Sequence, residues 1–401
     1  MTDTSNGSKS PRFMFVLGLC AFVVGWDSMV VAPIAPAIMV SLAATGQVAS
    51  LLVSSYALAY FLFSPLFGAL SDKVGRKTVL ISGLLIFSVG TMLTGFMQSW
   101  WWTIAMRCVA GLGGGMIMPG VFSIVSDNTP IESRGKAIGN IMAMLLASTV
   151  LGVPMGAYIS DVVSWRWTFG IISIMGYVVT VFAVRFVPNA AAARNIPVSS
   201  AKAVVGMLGT AFATPILLAT LGATFFWNAG LQTVFSSIGD FYDRELGLSE
   251  SGIALVILFA GLASVVGSIV GGRLISKFGL AAPVVCAAAG AAAGVLILVL
   301  GVPHVGVVVA ANVLWSLCIG IGQPALTTLV SELKPEVRGT ALALNGSTQY
   351  AAMFFSSLIG GTLANSTGNY VLSGVFSALF AAVTAVVVRH VIRMLNRTKT
   401  E

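Results

Sequence analysis

The sequence predicts an all-α membrane protein of twelve transmembrane helices arranged as two pseudo-symmetric six-helix bundles. Three observations predict it. Nearly the whole chain divides into apolar runs long enough to cross a bilayer, the basic residues collect in alternate loops, and one sequence offset relates the two halves. Of 401 residues, 57% are hydrophobic and only 8% charged, against roughly 25% charged residues in a soluble domain. With a hydrocarbon core about 30 Å thick, about 20 apolar residues in a helix suffice to span it.

Gly, Pro and charged residues punctuate the apolar runs into spans near 13–40, 48–70, 79–97, 101–126, 137–160, 165–187, 214–238, 251–274, 282–302, 304–330, 341–365 and 370–392. The first follows Lys9 and Arg12 as a secretory leader would, but its apolar run is too long for a cleaved one and reads as a membrane helix. The stretch after the sixth span, with Pro188, Asn189, Arg194, Asn195 and Pro197, is polar by local standards. It divides the chain into an N-terminal bundle (1–187), a linker (188–213) and a C-terminal bundle (214–401).

All but three of the 21 Lys and Arg residues fall on one side of these spans; the exceptions are Arg107, Arg166 and Arg244. The positive-inside rule then puts both termini in the cytoplasm, for a chain expected in a bacterial-type cytoplasmic (inner) membrane. The net charge of +8 is scattered between apolar runs and forms no stripe, which argues against a nucleic-acid partner. Cys20, Cys108, Cys286 and Cys318 all lie inside apolar runs, so neither a disulfide framework nor a metal site is indicated.

The halves repeat at an offset of 204 positions: Gly68, Leu70, Lys73 and Gly75 align with Gly272, Leu274, Lys277 and Gly279. The same offset aligns Glu132, Arg134 and Gly135 with Glu336, Arg338 and Gly339, and Gly156 with Gly360. Repeats of this kind imply two bundles about an axis along the membrane normal, enclosing a cavity that opens alternately to either side.

The loop between the second and third spans reads GALSDKVGRK, Gly68 to Lys77, and resembles the signature loop of the major facilitator superfamily. Gly68 lets two helices approach and Gly75 supplies a permissive backbone for a tight turn. The resemblance implies that Asp72, Arg76 and Arg134 form a charge network that holds the outward-facing state and breaks during transport. The run from Arg107 to Gly115, R-x-x-x-G-x-G-G-G, resembles a pattern of proton-linked members. In the fifth span, Gly152, Pro154 and Gly156 form G-x-P-x-G, which resembles a variant of the exporter signature, nearer to sugar and nucleoside exporters than to the usual G-P-x-x-G-G. The likeness implies a proton-coupled exporter of drug-like compounds or metabolites.

Of the thirteen acidic residues, Asp27 alone sits mid-span, in VVGWDSMVVAPIAP. A carboxylate there costs on the order of 3 kcal/mol on insertion scales, and such groups usually face a cavity and serve function. Desolvation favours its neutral form and a nearby cation its charged form. Asp27 is thus the candidate proton carrier and Arg107, about six residues inside the Trp-rich SWWW segment, its candidate partner. The acid followed by V-V-A-P-x-x-P also resembles the first-helix motif of drug exporters.

By the same resemblance, spans one, four, seven and ten line the cavity. Trp26, Asn228, Gln232, Trp315 and Gln323 are candidate substrate contacts there, joined by Tyr56 in the second span and by Asn345 and Gln349 in the eleventh. Asn228 and Gln232, and likewise Asn345 and Gln349, share a helix face at i,i+4 spacing, a pattern that interhelical hydrogen bonding explains equally well. The sequence lacks H-E-x-x-H, G-x-S-x-G and the phosphate-binding G-x-x-x-x-G-K-[ST]. The chain is therefore not expected to be an enzyme or an ATP-driven pump, nor to need a cofactor or metal. A monomer working with a small-molecule substrate, protons and the lipid bilayer is expected. The runner-up reading is a proton symporter importing an organic acid or sugar, with Arg107 binding an anion.

Overall fold

The computed structural model describes residues 11–44, 48–188, 209, 215–333, 338–367 and 370–400. The described residues contain helices and no strand, as lipid requires when each backbone amide must find its partner within its own segment. The first six spans are α1 (Pro11–Ser41), α2 (Leu51–Val74), α3 (Arg76–Phe96), α4 (Trp100–Asn128), the pair α5 (Ile131–Ala147) and α6 (Val153–Val162), and α7 (Trp165–Phe186). The second six are α8 (Pro215–Phe235), α10 (Glu250–Phe278), α11 (Ala281–Leu300), α12 (Val305–Glu332), α13 (Arg338–Thr367) and α14 (Tyr370–Thr400), with a short α9 (Ile238–Leu246) after α8. Most of the expected linker lies outside the described residues.

Among the described residues, ten spans are long and apolar enough to cross a membrane by composition, counting α5 to α6 as one. The two long helices outside that set, α8 and α13, are those carrying Asn228, Gln232, Asn345 and Gln349.

Helix ends follow local chemistry. Gly75 closes α2 at φ +103° and Gly279 closes α10 at φ +73°, each donating its N–H back into its helix, to Ser71 and Ile275. Both sit in the half of φ space that a side chain strains, and they occupy equivalent positions of the repeat. The repeat recurs in the packing. Thr168 Oγ1 donates to the Gly156 carbonyl at 2.8 Å, and Ser373 Oγ donates to the Gly360 carbonyl at 3.2 Å.

Pro154 has no N–H to offer the carbonyl one turn earlier, and the chain widens there into a π-helical turn, Ser148–Gly152, closed by the Val153 N–H on Ser148 O. The acidic segment after the seventh span forms helix α9. Its Asp240 accepts from Arg244 at 2.7 Å and from the Tyr370 hydroxyl at 2.5 Å.

The contacts that join the halves include three at one end of the molecule. Gly239 of α9 lies against the Ala32 and Pro33 carbonyls of α1, Ser251 of α10 donates to Asp161 of α6, and Gly361 of α13 packs on Ser50 at the head of α2. All three lie away from the loop that carries Arg76 and Lys77, so this conformation is closed on the face opposite the basic one.

Candidate functional site

α4 is built to let its neighbours come close. On one face, side chains at Gly111, Gly114 or Gly115 would collide with Tyr56 or Tyr60 of α2; on another, one at Gly113 would collide with Phe87 of α3. The absence of side chains at these positions draws α2 and α3 onto α4, and α1 closes the fourth side.

At that convergence Arg107 Nη1 donates to Asp27 Oδ2 at 2.7 Å, and both side chains have 0% of their surface exposed. The Thr91 hydroxyl donates to Asp27 Oδ1 at 3.3 Å. Arg107 Nε donates to the Leu52 carbonyl at 3.2 Å and Nη2 to the Asp27 carbonyl at 3.4 Å. The Tyr56 ring lies over the guanidinium at 4.6 Å and that of Phe169 at 5.8 Å. The pair thus pins α1, α2, α3 and α4 together.

Burying both ions costs several kcal/mol each, recovered only when geometry and remaining hydrogen bonds are good. An apolar pair of similar volume would hold four helices at less expense, so the retained charges point to function. The sequence reading has Asp27 facing a cavity. In this conformation no solvent reaches it, because α2, α3 and α4 converge on the carboxylate and Tyr56 covers its partner. Arg107 likewise extends to neither interface.

The exporter-like glycines of the fifth span serve the same helix. Side chains at Gly152 and Gly156 would meet the Trp26 indole, and one at Gly156 would also meet Val30. Trp26 is therefore buried between α1 and α6, with its Nε1 unpartnered, and sits within the first bundle. Tyr56, expected as a substrate contact, lies on the ion pair.

The other candidates are dispersed. Asn228 is buried and donates to the Thr224 carbonyl of its own helix at 2.9 Å. Gln232 and Asn345 are buried with unpartnered amide oxygens, at different levels of α8 and α13: Thr233 packs on Gly360, some fifteen residues beyond Asn345. Trp315 lines a narrow cleft in the second bundle with Trp227, Leu231 and Ser377. Gln323 and Gln349 are half-buried.

In the signature loop, Gly68 packs near Pro119 of α4. Arg76 pairs with Asp127 at the end of α4 and donates to the Ser123 carbonyl at 2.8 Å. The side chains of Asp72 and Arg134 lie outside the described residues. Sequence reasoning missed Thr91, Asp127 and Tyr350, which stacks on Tyr60 at 3.5 Å. Asp127 had a signal, an acid one helix end from a basic loop; Thr91 and Tyr350 had none.

A sequence profile of the Major Facilitator Superfamily matches residues 17–357 and, in a second match, 229–400. The chain is 26% identical over 357 residues to the MFS-type transporter YbcL of Bacillus subtilis, covering 88% of this chain and 89% of that one. It is 25% identical over 362 residues to the quinolone resistance protein NorA of Staphylococcus aureus, covering 87% and 89%. Among solved structures, the xylose transporter XylE from E. coli superposes with a TM-score of 0.76 at 15% identity, covering 95% of this chain and 97% of that one.

Proposed function

Because the chain belongs to the major facilitator superfamily, whose matched relatives are transporters, we propose that it is a proton-coupled exporter of small drug-like molecules or metabolites working by alternating access. It acts as a monomer in the cytoplasmic membrane, with the basic face and both termini inside. The observation that carries this reading is the wholly buried Asp27–Arg107 pair at 2.7 Å.

A proton placed on Asp27 cancels the charge that Arg107 faces and leaves a buried guanidinium without a partner. Protonation and the closed pair therefore exclude one another. In the cycle we propose, the pair opens as the bundles rock, a proton from outside takes the carboxylate, and its release inside restores the pair as substrate loads. Asp72, Arg76 and Arg134 latch the basic face during the outward-facing half of the cycle; in the present conformation Arg76 rests on Asp127 of its own bundle.

The import reading needs Arg107 to bind an anion. A guanidinium already held by a carboxylate, two carbonyls and an aromatic face offers no open side to one, which favours export of neutral or cationic compounds. The relative named for quinolone resistance points the same way. Proteoliposomes loaded with ethidium under an imposed pH gradient test both parts. Wild-type protein should drive flux and Asp27→Asn should lose it. Undiminished flux in the variant rejects the coupling, and gradient-driven uptake of an organic acid with no ethidium flux rejects the substrate class.

A further inference from the structure

The ion pair belongs entirely to the first bundle, so rocking of the second must reach it through some contact. The described contacts offer one at its level. Tyr350 of α13 stacks on Tyr60 of α2 with ring centroids 3.5 Å apart and planes 16° from parallel, and its ring lies 6.3 Å from that of Tyr56. Tyr56 in turn covers Arg107 at 4.6 Å, and the Tyr350 hydroxyl lies beside Ser28, the residue next to Asp27. Gly114 seats both α2 rings: a side chain there would strike the Tyr56 hydroxyl and the Tyr60 ring. Tyr56 and Tyr60 are fully or nearly fully buried, whereas Tyr350 is half-buried at the seam.

The geometry points to Tyr350 as a positioning residue for proton exchange, the second bundle's hand on the first bundle's ion pair. While α13 lies on α2, Tyr350 wedges against Tyr60 and Tyr56 and keeps the Tyr56 ring on the guanidinium, so water is excluded from Asp27. When the bundles part along this seam the Tyr350 ring leaves, Tyr56 is free to turn off Arg107, and the carboxylate is uncovered. Tyr56 then acts as a cover over the pair. This rests on Asp27 as the exchanging group and adds what times the exchange. The stack is held ring on ring, so it separates and re-forms with the bundles.

The test is modification of Asp27 by dicyclohexylcarbodiimide in the purified full chain without substrate, quantified by peptide mass spectrometry beside the exposed Asp127 as an internal standard. Tyr350→Ala should raise the rate at Asp27 several-fold and leave Asp127 unchanged; Tyr350→Phe, which keeps the ring, should match wild type. If Tyr350→Ala does not fold, Tyr60→Ala removes the other half of the stack and must give the same rise. Equal rates in wild type and the alanine variants overturn the inference, as does a Phe variant that behaves like Ala. These outcomes are separate from failure of the parent reading, which would show as undiminished pH-driven flux in Asp27→Asn.

Discussion

Replacing Asp27 with Asn removes the negative charge from a site where Arg107 has no exposed surface. Stripping a buried charge of its partner costs about 3–5 kcal/mol, and a guanidinium cannot escape by giving up its proton. Arg107→Met should be milder, because the carboxyl left behind can hold a proton and keeps the Thr91 hydroxyl at 3.3 Å. The double variant leaves no buried charge and should lose less than the two singles together, with a coupling of about 2 kcal/mol or more. Reversible denaturant unfolding in mixed micelles, followed by tryptophan emission, measures all four corners of this cycle. Single losses that add to within about 0.5 kcal/mol would refute the claim that these residues form one charge-compensated unit.

Other perturbations follow from the packing. Gly156→Val drives a side chain into Val30 and the Trp26 ring and should lower thermal stability by an overpacking cost of about 1–3 kcal/mol; an unchanged melting temperature would contradict that fit. Gly75→Ala, at φ +103°, should cost about 1–3 kcal/mol, visible as a lower denaturation midpoint with an unchanged slope. Arg76→Ala breaks a pair whose members are 25% and 38% exposed, so stability should change by under about 1 kcal/mol. Hydrogen exchange across residues 123–131 should nonetheless speed up as the end of α4 loses its tie to α3, and exchange at the wild-type rate would show that the pair does not hold this helix end.

Much of this architecture is written in the sequence because lipid leaves the backbone few options. Apolar runs had to be helices, and the Gly75 and Gly279 turns announced themselves through the repeat. Asp27 and Arg107 were legible as charges where charge is expensive. Their meeting was not, since it depends on how far the glycines of α4 let α1, α2 and α3 converge. Nor could spacing alone tell that Trp26 seats on Gly152 and Gly156 within one bundle, or that Asn228 satisfies itself on its own helix. The π turn before Pro154 is a backbone response with no side-chain pattern of its own. Tyr350 was invisible because its role comes from a partner on the other half of the chain, and no local periodicity encodes that register.

Infrared difference spectroscopy on the purified chain across a downward pH step reads the proton on a carboxyl group directly and needs no substrate. Wild type should gain a protonated-carboxyl band that is absent from Asp27→Asn and survives in Asp127→Asn. An identical band in Asp27→Asn would mean that the proton resides elsewhere, and that the buried pair only fastens helices together.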